Sequence, residues 1–193
     1  MKKHVLHALI GVSLGLTVLP LSGCAPLVAG GFGVGVLMAE DRRTAGTYVL
    51  DEEIELKVAN RIHDDHGTKT HVSVTSHNRR VLLTGQVPDA TIQTRVAEVA
   101  RAVPNVREVQ NEVLIAAPTS FFTRSNDGFI SAKVKARFLD NKQFNAHHVK
   151  VVTESGTVFL MGLVKHEEGN AAAEIAARTG GVLKVVKVFE YMD

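Results

Sequence analysis

The strongest constraint on what this chain can fold into is that it repeats itself. Val81-Leu82-Leu83-Thr84-Gly85-Gln86-Val87 returns as Val158-Phe159-Leu160-Met161-Gly162-Leu163-Val164, with the two glycines 77 positions apart. Val72 and Val74 match Val149 and Val151 at the same offset. At an offset of 76, Ile54, Val58 and Ile62 match Ile130, Val134 and Phe138, and Glu98-Val99-Ala100 matches Glu174-Ile175-Ala176. Val106, Val109 and Val113 pair with Val182, Val185 and Phe189 at that offset too. Matches kept in one order along a whole unit mean two copies of one fold.

Each copy has the same predicted elements. Ile54, Val58 and Ile62 recur every fourth residue, an amphipathic helix with Asp51 placed to cap it. Val72 and Val74 alternate with polar residues as in a half-buried strand. His77-Asn78-Arg79-Arg80 has turn character, so a hairpin returns along Val81 to Val87. Ile92, Val96, Val99, Ala100 and Val103 form a second helical stripe, stopped by Pro104-Asn105. Val109, Val113 and Ile115 then give a last strand. In the second copy Asp127 caps a helix from Ile130 to Leu139, and Gly180-Gly181 ends the later helix. The order αββαβ predicts an α+β fold, each unit a two-layer sandwich of two helices on a three-stranded mixed sheet. Units of about 65–70 residues are small for an independent core, so they are expected to dock on each other. Glycine inside a strand weakens packing, so Gly85 and Gly162 predict a close helix approach or a bulge.

Ahead of the repeats lies an N-terminal segment of different character. Lys2-Lys3 is followed by an apolar run from Ala8 and then by Leu21-Ser22-Gly23-Cys24. That is the layout of an export signal, with an apolar run too short to span a membrane. The four residues resemble a bacterial lipobox, in which the cysteine becomes the first mature residue and carries acyl chains. The resemblance implies a signal peptide at 1–23, lipidation of Cys24 and a lipidated tether at 24–46. Cys24 is the only cysteine, so a disulfide within the chain is excluded. Each buried methylene contributes about 0.8 kcal/mol, and the several chains of a lipoprotein make such an anchor permanent. Ala25, in place of an aspartate, implies the outer membrane on the same resemblance. Without Lys2 and Lys3 the chain has 20 basic and 20 acidic side chains, which gives no reason to expect nucleic acid as a partner. Leu27 to Ala39 is rich in glycine and valine, and no Gly-x-Gly-x-x-Gly register fits it.

The element order, the strand glycine, and a helix ending in Pro104-Asn105-Val106 or Gly180-Gly181-Val182 before a valine-rich strand resemble the BON domain. Two such units after a lipobox resemble the dual-BON outer-membrane lipoproteins of Gram-negative bacteria. The division on this basis is a first BON domain at 47–117, a linker at 118–126 and a second BON domain at 127–193. Phe121-Phe122, in the linker, is expected to pack in the seam between units.

Charge separates the two units. Residues 47–117 hold 8 basic and 10 acidic side chains, whereas 118–193 hold 10 basic and 8 acidic. The contrast concentrates on the first helix of each. Phe129, Lys133 and Arg137 are spaced by four beside the core stripe Ile130, Val134 and Phe138. The matching residues of the first unit are Glu53, Lys57 and Arg61, with Glu52 and Glu55 beside them. A ring next to two cations suits an anionic lipid surface, the ring entering the acyl boundary and the cations meeting head groups. A solvated helix face would look the same from spacing alone. Resemblance to the dual-BON lipoproteins implies phospholipid contact by Asp127, Phe129, Ile130, Lys133, Val134 and Arg137, with Arg124, Lys135 and Lys142 as secondary candidates. The same resemblance implies an anionic phospholipid partner (phosphatidylglycerol or cardiolipin), attachment to the periplasmic face of the outer membrane and support of envelope integrity, possible division-site placement included. The other reading is a structural module for an envelope protein partner.

His63, His66, His71 and His77 cluster in the first unit and His147-His148 lie in the second, without the ligand spacing of a zinc site. They are expected at the surface, and no metal or cofactor is implied. No nucleophile elbow, paired zinc histidines or phosphate loop occurs, so no catalytic residue is assigned.

Overall fold

The computed structural model describes residues 41–67 and 70–192. The signal segment, Cys24 and the tether up to residue 40 lie outside the described residues. The first unit runs α1 (Ala45–His66), β1 (His71–His77), β2 (Arg80–Val87), α2 (Ala90–Arg101), β3 (Glu108–Asn111) and β4 (Leu114–Ile115). The second runs α3 (Phe121–Asp140), a 3-10 turn (Ala146–His148), β5 (Lys150–Glu154), β6 (Thr157–Val164), α4 (His166–Ala177) and β7 (Lys184–Tyr191). Strands β1 and β2 are antiparallel, and β3 and β4 both lie parallel to β2. The second sheet repeats the plan, with β5 antiparallel and β7 parallel to the central β6.

The predicted last strand of the first unit is broken in two. Asn111 is the reason: its side-chain amide donates to the Gln93 carbonyl, and its side-chain oxygen accepts from the Val113 amide. An Asn that bonds its own backbone two residues on turns the chain out of the ladder. Val113 is carried into the core by that jog, 1% exposed.

Both hairpins use two-residue turns whose central residues have positive φ, Asn78 (51°) and Arg79 (63°), then Ser155 (50°) and Gly156 (75°). That backbone matches the twist of paired strands. Gly85 has a φ of 110°, and a Cβ there would lie 2.0 Å from the His71 carbonyl oxygen. At Gly162 a Cβ would lie 2.2 Å from the His148 carbonyl oxygen. The close neighbour is therefore the backbone entering the adjacent strand, not a helix.

Helices cover one face of each sheet. Ile54, Val58 and Ile62 of α1 pack with Val81, Leu83 and Val87 of β2 and Val96, Val99 and Ala100 of α2. Ile130, Val134 and Phe138 of α3 pack with Val158, Leu160 and Val164 of β6 and Ala172 and Ala176 of α4. The other faces close on each other. Leu82 joins Phe159, Met161 and Val188 in a separate buried cluster, flanked by Val152 and Val186. This explains why β6 reads as a nearly unbroken apolar run, and why Thr84 and Gln86 of β2 are buried as well, since both faces of the central strands are covered.

Polar bonds fix the docked pair. Asn78 Nδ2 donates to Glu190 at 2.7 Å, Arg80 to the Phe189 carbonyl at 2.7 Å, and Lys150 Nζ to Glu55 at 2.8 Å. The Gln86 amide donates to Glu154 at 2.7 Å while its oxygen accepts from the Thr119 amide at 3.1 Å. Phe121 and Phe122, expected in this seam, are instead exposed at 78% and 82%. Sheet faces fill the seam, so it has no place for the linker rings.

The segment before α1 bridges the two units. Arg42 makes a bidentate pair with Glu168 (2.7 and 2.8 Å) and donates to the Leu163 carbonyl at 3.0 Å. Arg43 pairs with Asp41 and with Asp51 of α1, and lies 5.1 Å from the Tyr48 ring centre.

Candidate functional site

The first helix of each unit starts earlier than the apolar stripe predicts, because Thr44 and Ser120 cap them. Each hydroxyl accepts from the backbone amide three residues on, Thr47 and Thr123, at 3.1 Å. Asp51 and Asp127, expected as caps, therefore lie inside helices and point at the sheet. Asp127, 5% exposed, accepts from the Ser155 and Gly156 amides at 2.8 and 2.9 Å and so holds the β5–β6 turn. Asp51, 2% exposed, accepts from the Asn78 and Arg79 amides, from the Ser76 hydroxyl at 2.7 Å and from Arg43 at 2.8 Å. The two carboxylates do one job, pinning a strained turn to a helix.

This geometry sorts the six residues assigned to lipid contact. Ile130 and Val134 are fully buried, and Asp127 is committed to the turn, so all three orient α3 from inside. Phe129 is 70% exposed on its outer side. Lys133 Nζ donates to the Gly180 carbonyl at 2.5 Å, and Arg137 donates to the Arg178 carbonyl at 2.7 Å. Both cations thus lie over the end of α4, where last-turn carbonyls favour positive charge. An ammonium has three donors and a guanidinium five, so each keeps donors for an anion while holding its carbonyl. Arg124 donates to the Thr119 carbonyl at the start of α3. Lys135 lines a shallow cleft with Phe138, Leu139, Ala146, His147 and Val149, and the exposed Lys142 follows the helix.

The first unit has the same frame with different chemistry. Arg61 donates to the Ala102 carbonyl at 3.2 Å, as Arg137 does at its own helix end. Lys57, however, pairs with Glu53, the residue in Phe129's place. The outer side of α1 shows Val49 and Leu56, 61% and 65% exposed, beside Glu52 and Glu53.

The histidines divide. His77 is 6% exposed, against the expected surface position, and burial together with the nearby Arg43 pushes its pKa down to about 4. His63 and His66 occupy the last turn of α1. Among the described residues no group of three or more His, Cys, Asp or Glu could hold a metal ion, and no helix is long and apolar enough to cross a membrane.

Sequence reasoning missed the Arg42–Glu168 bridge, the true helix caps and the exposed phenylalanine pair. The caps carried a signal: Thr44 and Thr47 match Ser120 and Thr123 at the offset of 76 that relates the helices. Arg42 carried none, since its partner lies 126 positions away.

Comparison with known proteins agrees with this architecture. The BON domain matches residues 50–117 and again 126–193. The chain is 40% identical over 186 residues to the outer membrane lipoprotein DolP of Haemophilus influenzae, covering 95% of this chain and 96% of that one. It is 36% identical over 155 residues to a 21 kDa hemolysin of Actinobacillus pleuropneumoniae, covering 79% and 80% of the two chains. The osmotically-inducible protein Y of Escherichia coli is 28% identical over 145 residues, covering 74% of this chain and 72% of that one. Two docked αββαβ units, each matched by the domain, make this chain a member of the BON-domain family and a dual-BON lipoprotein of the DolP family.

Proposed function

We propose that the chain is a lipoprotein of the outer membrane, held through Cys24 on its periplasmic face, whose second BON domain binds anionic phospholipid and so supports envelope integrity. The recognition element is the outer side of α3. One observation carries the reading: Phe129 is 70% exposed next to Lys133 and Arg137, where the first unit has a glutamate paired to a lysine. A large ring left in water beside two cations fits a surface with an apolar interior and phosphate at its edge. A juxtamembrane cation contributes about 1 kcal/mol, so the contact is weak alone and effective once a tether concentrates it. Similarity over nearly the full length of an outer membrane lipoprotein supports the location.

The test is vesicle co-sedimentation of the Cys24→Ser chain, so that acylation does not mask the contact. Binding is expected with phosphatidylglycerol or cardiolipin and not with phosphatidylcholine, and Lys133→Glu with Arg137→Glu abolishes it. Equal binding to both lipids, or no effect of the charge reversals, overturns the reading. The exposed Val49 and Leu56 beside acidic residues on α1 favour a second function, docking of an envelope protein with a basic surface. Loss of such a partner on Leu56→Asp, with vesicle binding intact, would separate the two.

A further inference from the structure

Phe121 and Phe122 are the most exposed phenylalanines of the described chain, at 78% and 82%. They form the first turn of α3, directly after its Ser120 cap. The fold does not ask for them there. At the matching cap of α1, the residues after Thr44 are Ala45 and Gly46, and that helix starts equally well. Two rings added to a turn that runs without them, and left in water, call for an occupant outside the chain.

We propose that Phe121-Phe122 is a membrane wedge, a second insertion point separate from the Phe129–Lys133–Arg137 face; it rests on the reading that the chain is tethered to a bilayer. Three observations choose a bilayer over a second copy of this chain. First, two phenylalanines offer about 300–500 Å² of surface, below the roughly 800 Å² per partner of a stable interface. Second, Arg124 is the only charged residue between 118 and 126, so insertion desolvates no carboxylate there and leaves a cation at head-group level. Third, 16 residues lie between Cys24 and Asp41, a reach of at most about 60 Å. That exceeds the roughly 25 Å length of β6 that separates Arg42, held at Leu163 and Glu168, from the start of α3, held at Gln86 and Glu154.

The base of the wedge is fixed. The Ser120 hydroxyl accepts from the Thr123 amide and the Arg124 guanidinium donates to the Thr119 carbonyl, while the Thr119 amide is held by buried Gln86. Phe122 and Phe129 are seven residues apart on one helix and share a side, so one approach can engage both. The wedge is apolar, so its insertion depends little on lipid charge. The Phe129 face depends on it strongly.

The chain has no tryptophan, so single substitutions give clean fluorescent reporters. Phe122→Trp, Phe129→Trp and, as a control on the first unit, Val49→Trp are each reconstituted as the full lipidated chain. The vesicles are of phosphatidylcholine, with and without phosphatidylglycerol, carrying brominated acyl chains. Phe122→Trp is expected to shift to the blue and be quenched at least about twofold more than Val49→Trp, in both lipids and at high salt. A water-like, unquenched Phe122→Trp in both lipids overturns the wedge. If Phe129→Trp is quenched in that case, the phospholipid reading stands without it; quenching of Phe122→Trp alone supports the wedge and sinks the other site. As a second measurement, Phe121→Ser with Phe122→Ser should keep the melting temperature and weaken binding of the Cys24→Ser chain to phosphatidylglycerol vesicles about tenfold. An unchanged affinity counts against the wedge.

Discussion

Helices α1 and α3 occupy the same place in their units, with Asp51 and Asp127, Thr44 and Ser120, and Arg61 and Arg137 in matching positions. Their inward sides are interchangeable in role: a carboxylate holds the hairpin turn, three apolar residues pack on the sheet, and an arginine covers the end of the second helix. Their outward sides diverge. The first shows Glu52, Glu53 and a Lys57–Glu53 pair; the second shows Phe129, Lys133 and a phenylalanine tip. Duplication thus preserved what each copy needs to fold and left the exposed face free to specialise. The hairpins diverge as well, for His77 sits in a buried ionic cluster where the second unit has Glu154 at the interface.

The largest test of this comparison is removal of each carboxylate. Asp51→Ala takes from the buried Arg43 one of its two carboxylate partners, leaving Asp41, and frees two amides and a hydroxyl, so it should cost about 3–4 kcal/mol in urea unfolding. Asp127→Ala frees two turn amides and should cost about 2 kcal/mol. Equal losses would mean that the Arg43 pairing adds nothing to the first unit.

Acid should act on the first unit through His77. Its folded pKa of about 4 lies below the ordinary 6.5, because burial and Arg43 resist protonation. Between those values the unfolded chain binds the proton and the folded chain does not, so stability is full above pH 6.5 and falls on acidification toward pH 4. Across that window His77→Gln should flatten a decline of about 2–3 kcal/mol, read from urea midpoints at successive pH values. An unaltered pH profile would place the decline elsewhere.

The strap between units gives the next effect. Arg42→Ala removes a bidentate partner from Glu168 and should cost about 2 kcal/mol at neutral pH. Hydrogen bonding from Arg42 holds the Glu168 pKa down to about 2 from an ordinary 4.5. That stabilisation is present above pH 4.5 and is lost as pH falls through about 2. In Arg42→Ala the acid-dependent part should shrink to what the Lys165 amide, which also donates to Glu168, maintains.

The smallest effect in free energy addresses the outward faces alone. Phe129→Glu gives α3 the residue that α1 carries in that position, and should weaken binding to phosphatidylglycerol vesicles about tenfold while leaving stability within about 0.5 kcal/mol. Unchanged vesicle affinity would mean the outward divergence has nothing to do with lipid.

Much of this is legible in the sequence. The offset of the repeat located both units, the hairpins and the core stripes, because short-range periodicity and turn chemistry decide those features. The sequence points to later helix starts because Asp51 and Asp127 have the chemistry of caps, while the true caps, Thr44 and Ser120, precede residues with no apolar period. Phe121-Phe122 reads as seam in the sequence because exposed aromatic pairs are rare. The actual seam uses Leu82, Phe159, Met161 and Val188, whose burial on a second sheet face appears only once two sheets meet. Of the proposed lipid-facing helix, the spacing of Phe129, Lys133 and Arg137 was readable; their engagement with α4 depends on a contact 41 or more residues away.

Backbone NMR of the Cys24→Ser chain, titrated with phosphatidylglycerol nanodiscs, tests the central claim most directly. The account predicts that Phe129, Lys133 and Arg137 shift or broaden while Glu53, Lys57 and Arg61 stay in place. Equal perturbation of the two helices, or perturbation of α1 alone, would contradict it.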